Sequence, residues 1–541
     1  MKLKQFIKNN GTILLVFLLC TAVVALFCSR KKGLFIDEVY SYGLSNSYYA
    51  PYISDLHEDG LKDQVFTAEE VDGYLTVGDG DAFAFGSVYY NQTRDVHPPL
   101  YYWLLHLVSS FFPHRFTVLT GVLLNAVLFL LCLAVFCRLL LELFGSRDLA
   151  AAGTAVLGMS VLALSCVMMI RMYTLLMLWT VLFMFFTARL LRGKSGTWLY
   201  IALGLTTFCG FLTAYYFAFF AFFLCVVYAL RSVVKRQWLP LLKFAAAVGA
   251  GFLLMPVVFP SCLKQIFEGN GQVVGGSSVL ETLKNTAAYG DRIEEFWKVH
   301  LKLKGMEWIL IGCGVLLVLL LPGLIRAVRK RKISWEALLI SLPVIPAFLL
   351  VAIISPVMEQ RYIYNLVPGA ALFVSFALKL VSLSFRELPE RLAKHAGKGS
   401  KALLATVVFA ALWSAKSMPP DNLYQEQITF NELCSAHAAS PCVYITDGYF
   451  SPVTQDLCQL RLFKSFFTTD DPASDAMTAY IGNADEVVLY IDVDGYWSSG
   501  YDASEVLATV SEKTGFTKWE PLYTYAINGM NGLSETYLLS R

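Results

Sequence analysis

Residues 195–230 read "SGTWLYIALGLTTFCGFLTAYYFAFFAFFLCVVYAL", 36 residues without one charged side chain. A single helix of that length would run roughly 54 Å at about 1.5 Å per residue, against a bilayer core of about 30 Å. The stretch therefore has to double back, and "FLTAYYF" (Phe211–Phe217) is where the turn falls. Two crossings joined by a tight turn point to a helical membrane protein.

The rest of the chain agrees. Uncharged apolar runs recur at Phe116–Cys137, Leu149–Ile170, Phe244–Leu263 and Ala337–Met358. The 541 residues are 56% hydrophobic, 14% aromatic and 16% charged, where soluble proteins average roughly 45–50% apolar and about 25% charged. That composition excludes an ordinary soluble enzyme. Crossings are expected near 11–28, 116–138, 149–170, 172–190, 197–212, 215–231, 240–260, 307–325, 336–356, 362–380 and 402–416, about eleven in all. The last is the weakest, an apolar run closed in between Lys401 and Lys416. Lys2, Lys4 and Lys8 precede the first run and no small-residue cleavage site follows it, so it reads as an uncleaved span. Basic clusters all sit between apolar runs, and none is framed for nucleic acid. The 12 cysteines show no C-x-x-C spacing, and most lie inside apolar runs, where Cys behaves as a small hydrophobe.

"HPPLYYWLLHLVSSFF" (97–112) decides the topology. If it does not cross, three short basic loops (Arg189/Arg192/Lys194, Arg231/Lys235/Arg236 and Arg326/Arg329/Lys330/Arg331/Lys332) fall on the N-terminal side, and the loop with Arg386, Arg391, Lys394, Lys398 and Lys401 joins them. If it crosses, all of them flip outward. Basic loops favour the cytoplasm, so 97–112 reads as an interfacial helix on the outer surface. The N-terminus is then cytoplasmic. The long first loop (29–115), the segment around Arg171, the hairpin tip at Tyr215, the loop 261–305, the turn "MEQRY" (358–362) and the C-terminal residues face outward. The expected localisation is a multi-pass cell-membrane protein in contact with the lipid bilayer.

Composition changes after Met418-Pro419-Pro420. Strand-like runs at 442–447, 486–493, 519–527 and 535–540, with a helical stretch at 502–514, read as a small extracytoplasmic α/β domain. The expected organisation is thus a transmembrane domain over 1–416 and a soluble domain over 417–541. Cys434 and Cys442 either pair there, as exported cysteines often do, or stay free.

The first loop opens on "GLFIDEVYSYG" (33–43), with Asp37 and Glu38 adjacent, and closes on "DVHPPLYY" (95–102). Between them Thr67-Ala68-Glu69-Glu70 has the spacing of a capping box and predicts a short helix over 68–75. Taken singly, an acidic pair reads as a solvated loop, and His97-Pro98-Pro99 as helix initiation. Asn91-Gln92-Thr93 matches a glycosylation sequon, a triplet common by chance. The Gly-rich "GNGQVVGGSS" (269–278), in a basic loop, reads as a lid or as a plain flexible loop.

Together, a first span ending in Asp-Glu, a long outer loop and D-x-H-P-P-L opening an interfacial helix resemble the GT-C class of membrane glycosyltransferases. The likeness is to the branch of protein O-mannosyltransferases and lipid A aminoarabinose transferases. "RMYTLLMLW" (171–179) is similar to that branch's Arg-x-Tyr motif, and "QRYIYNLVPG" (360–369) to its late Arg-Tyr segment. The resemblance covers roughly 10–380. It implies a GT-C-like fold and inverting transfer of a sugar from a polyprenyl-phosphate carrier to an acceptor hydroxyl. A hydroxyl needs a positioned carboxylate as general base. The phosphate leaving group needs cationic stabilisation rather than an acid. The resemblance assigns Asp37 as base and Glu38 to the acceptor or sugar. Asp95 would position Asp37, contact the sugar or share a divalent metal ion with Asp37. Arg171 and Arg361 read as ligands of the carrier phosphate or as interfacial anchors. His97 reads as a cap or hydrogen-bond partner before a metal ligand. Tyr173, Tyr215 and Tyr362 would line the substrate groove, where an aromatic belt also places tyrosines. A transporter or flippase of the same lipid-linked sugar, or a non-catalytic scaffold, are the alternatives. Transporters place ionisable groups near the midplane of their spans, and these spans are almost free of charge.

Overall fold

Long apolar runs without internal breakers form helices because a bilayer offers their backbones no other hydrogen-bond partner. The computed structural model describes residues 2–267, 286–300, 305–355, 359–388, 396–494, 498–524 and 533–541. The Gly-rich run at 269–278, with Lys284, Lys302, Lys304, Arg391 and Lys394, lies outside them. Among the described residues seven helices are long and apolar enough to cross a membrane, or up to nine if each of two bent pairs is one crossing. About eleven were expected, and the difference lies in runs that are bent or short. The run 149–170 is broken into Arg147–Gly158 and Val161–Met168, bent by 52°, where the Ser160 hydroxyl accepts the Ala163 N–H and starts a new helix. The run 307–325 is broken into Met306–Leu319 and Leu321–Arg329, bent by 81°, with Pro322 in the first turn of the second half. Thr197–Thr213 is a shorter apolar helix of 17 residues. Ala396–Ser417 is not among the crossing helices. The hairpin turns where expected, Phe217–Val234 following Thr197–Thr213 after residues 214–216.

The chain forms two compact units, neither continuous in sequence. Near the boundary expected at 417 the division falls between 421 and 422, and residues 30–95 and 102–121 join the C-terminal residues. The first holds 1–29, 96–101 and 122–421; the second holds 30–95, 102–121 and 422–541. In the helical unit, Thr197–Thr213 and Trp238–Val258 approach closely through glycines. A Cβ on Gly251 would stand 2.3 Å from the Gly204 carbonyl oxygen, so only glycine admits this crossing.

The second unit is built on a six-stranded sheet with strand order β1-β3-β2-β4-β6-β5. The strands are β1 Gln64–Thr67, β2 Cys442–Ile445, β3 Ser465–Thr469, β4 Glu486–Asp492, β5 Lys518–Thr524 and β6 Ser534–Ser540. β2 pairs in parallel with β3 and β4, while β1, β6 and β5 add antiparallel. β1 belongs to the long first loop and completes the sheet, with Phe66 stacked on Phe466 at 5.3 Å. The period of two gives the sheet unlike faces. Val443, Ile445, Phe467, Val487, Leu489 and Ile491 pack with helices Asp475–Ile481 and Ala503–Thr514 into an apolar core. The opposite face presents Tyr444, Tyr490 and Ser534 to helices Gln427–Ala436 and Phe450–Leu460. Cys434 and Cys442 are both free and buried.

Candidate functional site

The acidic pair lies in the first turn of helix Ile36–Asn46. Its N-cap, Phe35, has no side-chain oxygen, so Glu38 reaches back and accepts the Phe35 N–H at 2.8 Å. The other Glu38 oxygen meets Lys31 Nζ at 2.8 Å, with both side chains fully buried. Burial pulls the Lys31 ammonium below the usual lysine range and the Glu38 charge pushes it back. A buried carboxylate survives only with such a partner. Glu38 thus closes the helix start and pairs with Lys31. Asp37, one residue earlier, stays half-buried.

Helix Ile36–Asn46 is gripped from several sides. The Tyr42 hydroxyl donates to Thr117 O at 2.9 Å and accepts the Gly121 N–H at 3.0 Å. The Tyr40 hydroxyl meets Ser451 Oγ at 2.9 Å on helix Phe450–Leu460. That helix turns its other side to the sheet, where Asp456 accepts from Tyr444 at 2.9 Å and Ser534 at 2.6 Å. Burial pushes the Asp456 carboxyl up to about 7, against the pull of those two hydrogen bonds. The same burial pushes the Cys458 thiol up to about 12. The α/β part thus supports the acidic helix directly through Phe450–Leu460.

Asp95 is the C-cap of helix Phe85–Arg94. This helix runs antiparallel to Ile36–Asn46: Ser87 Oγ donates to Ser47 O at 3.0 Å, and Asn91 Nδ2 to Leu44 O at 3.2 Å. One further turn carries Asp95 toward the end that holds Asp37. Tyr40 and Tyr52 meet edge to face with ring centroids 6.3 Å apart. Burial first, and then the Asp95 charge, push the Tyr52 phenol up. Asn91, the sequon residue, is buried with its amide committed to Leu44 and Ser47. The capping box forms as expected: Glu70 accepts the Thr67 N–H at 2.7 Å, and the helix runs Ala68–Leu75. Helix Leu100–Ser109, within 97–112, has 10 residues, too short to cross.

The remaining expected residues lie in the helical unit. Arg171 is buried in the break between Val161–Met168 and Tyr173–Leu191. The carbonyls ending the first of these helices, Val167 and Met169, accept from Asn125 Nδ2 at 3.1 and 2.6 Å, and Asn125 Oδ1 accepts from the Tyr101 hydroxyl at 3.0 Å. The His97-Pro98-Pro99 segment is thus tied to the Arg171 break through Tyr101 and Asn125. His97 itself is half-buried. Arg361 opens the 3-10 turn Gln360–Leu366, with Nε 3.1 Å from Glu359 and its guanidinium 5.4 Å from the Tyr362 ring. Tyr362 stacks on Tyr216 at 5.0 Å, and Tyr364 packs edge-on against Tyr173 at 6.0 Å. Tyr215 donates to Gln265 at 2.5 Å. The structure therefore joins the late Arg-Tyr segment to both the Arg171 break and the hairpin tip. Among the described residues no group of three or more His, Cys, Asp or Glu is placed to hold a metal ion.

Sequence reasoning missed Lys31, Asn125 and Gln427. The only amide in Phe116–Cys137 was a signal for Asn125, since a polar residue within a span turns inward to a partner. Lys31 lies in a basic trio, Arg30-Lys31-Lys32, on the side where the loop bias places few charges. No local pattern marks Gln427.

These features define a multi-pass helical membrane protein with a sheet-bearing unit that carries a carboxylate helix. No family model matches the chain, and no curated protein does. Among solved structures, it is similar to ArnT from Cupriavidus metallidurans bound to undecaprenyl phosphate, at 13% identity over 98% of each chain with a TM-score of 0.48. The apo state of that protein gives the same values. It is also similar to the archaeal oligosaccharyltransferase AglB from Archaeoglobus fulgidus, in complex with an inhibitory peptide and a dolichol-phosphate. Here identity is 10% over 97% of this chain and 74% of that one, with a TM-score of 0.47. These likenesses assign no residue of this chain a role.

Proposed function

We propose that the protein is an inverting glycosyltransferase that moves a sugar from a polyprenyl-phosphate carrier to an acceptor hydroxyl at the outer face of the membrane. The observation that carries the reading is the unlike treatment of two adjacent carboxylates. Glu38 is buried and charge-paired, while Asp37 is left half-buried on the same helical turn. A fold that holds one carboxylate to keep its neighbour in place provides what a general base requires.

In this reading Asp37 takes the proton of the acceptor hydroxyl as its oxygen attacks the anomeric carbon. The bond to the carrier phosphate breaks, and the phosphate leaves as an anion. Arg171 and Arg361 supply cationic stabilisation to that anion, Arg171 from a buried position at a helix break. Asp95 positions Asp37 or contacts the sugar. His97, Tyr173, Tyr215 and Tyr362 belong to the walls that receive donor and carrier. One carboxylate base and a phosphate leaving group need no second acid, unlike a glycosidase. The N-terminus is placed in the cytoplasm and the sheet-bearing residues outside, following the basic loops. Acceptor classes consistent with this chemistry are protein, glycolipid and cell-wall polymer hydroxyls.

The test is incubation of the purified full chain with a panel of undecaprenyl-phosphate-linked hexoses and pentoses, following release of undecaprenyl phosphate. That carrier is the first to try because it is the one bound in the ArnT structure. Turnover of at least one donor supports the reading. Transport of intact donor across vesicles without release would replace it with the flippase alternative.

A further inference from the structure

Residues 30–35 lead from the first span to the Asp37 helix, and they are stitched to residues 422–427. Gln425 Nε2 donates to Arg30 O at 3.2 Å, Lys31 Nζ to Asn422 O at 2.9 Å, and the Lys32 N–H to Leu423 O at 2.9 Å. Phe35 stacks on Tyr424 with ring centroids 6.4 Å apart. The seam ends on one side chain that does two jobs. Gln427 Oε1 accepts the Leu34 N–H at 3.0 Å, and its Nε2 donates to Leu34 O at 2.7 Å. Gln427 is buried. Only a carboxamide offers a donor and an acceptor side by side, so this pairing fixes the orientation of the Leu34 backbone as a β-ladder partner would. Gly33 makes room for it: a Cβ there would lie 2.1 Å from Gln427 Oε1.

Leu34 is three residues from Asp37, and Phe35, between them, offers no side-chain cap. The direction in which the helix leaves its first turn is therefore set by what holds Leu34. We propose that Gln427 is a positioning residue for Asp37: its amide clamps Leu34 and so sets the depth and angle at which the first helical turn presents the Asp37 carboxylate. The proposal rests on the reading of Asp37 as the base. It makes the C-terminal residues part of the catalytic apparatus, where their sequence position suggests an appendage.

The test compares the full-length wild type with Gln427→Met, Gly33→Ala and the double variant, reconstituted in nanodiscs. Methionine keeps the length of the side chain and removes both hydrogen bonds; alanine at 33 drives the amide off Leu34 from the other side. With whichever undecaprenyl-phosphate-linked sugar the wild type uses, each single variant is expected to lose about 10- to 100-fold in kcat, the scale of a small misplacement of a catalytic group. The KM for the donor stays within about two-fold. The double variant loses no more than the worse single one, because both break one clamp. Amide exchange of residues 34–38 speeds up by about ten-fold in each. A role in folding alone would instead lower the melting temperature and leave kcat per folded molecule intact, and that result overturns the proposal. So does wild-type kcat in both single variants. Should Asp37→Asn turn over donor at the wild-type rate, the base reading fails and positioning for catalysis fails with it. Wild-type exchange rates at 34–38 in Gln427→Met would overturn the clamp itself, whatever the fate of the base.

Discussion

Replacing Lys31 by methionine removes the positive half of a buried ion pair and little volume. Lys31 and Glu38 meet at 2.8 Å with no exposure of either side chain. The lysine ammonium also holds the Asn422 carbonyl. Breaking such a pair by removing one partner costs about 3–5 kcal/mol, because the remaining charge stays desolvated. For a domain of 150–250 residues each kcal/mol moves the melting temperature by about 2–4 °C, so the expected fall is about 6–20 °C at pH 8. The loss has a sign with pH. The orphaned Glu38 can escape by taking a proton, which the native variant then binds more tightly than the unfolded chain does. The deficit therefore shrinks as pH falls from 8 to 5.5. The double variant Lys31→Met/Glu38→Gln keeps an acceptor for the Phe35 N–H and leaves no buried charge, so it recovers most of the stability. Thermal unfolding of the three proteins in nanodiscs, followed by intrinsic fluorescence at both pH values, is the assay. A single-variant loss below about 1 kcal/mol, or a double variant no better than the single one, would refute the reasoning.

Two further outcomes follow from the same structure. Asp456 is buried with its carboxyl pushed up to about 7, so the native state holds that proton more tightly than the unfolded chain, and stability drawn from it falls as pH rises from about 4 to about 7. The full swing is about 4 kcal/mol, three pKa units at about 1.36 each. Asp456→Asn keeps an acceptor for Tyr444 and Ser534, so its melting temperature should decline less than the wild type's between pH 5 and pH 8. Parallel declines would contradict that. If Asp37 acts as the base without a metal ion, chelation with EDTA leaves turnover within about two-fold. A loss restored by magnesium would instead make Asp37 and Asp95 metal ligands.

What the sequence made legible is local or periodic. Uncharged runs announced spans by length, Thr67 and Glu70 announced their helix by spacing, and alternation in 442–447 and 486–493 announced β2 and β4. The breaks within the two bent spans went unread because apolarity continues across them. Ser160 and Pro322 carried the signal, as an N-cap and a first-turn proline, but no charge accompanied either. Long-range pairings left no trace. β1 is four residues of the first loop that find β3 some 400 positions later, and Gln427 meets Leu34 at a separation of 393. Glu38 hid its partner for a related reason. From sequence it is one of two equivalent carboxylates, and only the fold reveals that Lys31 lies against it.

The measurement that bears most directly on the account is the single-turnover rate of Asp37→Asn beside the wild type, on a donor the wild type uses, with carrier binding measured in parallel. Asparagine preserves size and removes the base. The rate should fall by about 10²- to 10⁴-fold, the usual worth of a general base, while affinity for undecaprenyl phosphate stays within about two-fold. Equal rates in the two proteins would contradict Asp37 as the base, and with it the claim that the fold keeps this carboxylate in place for catalysis.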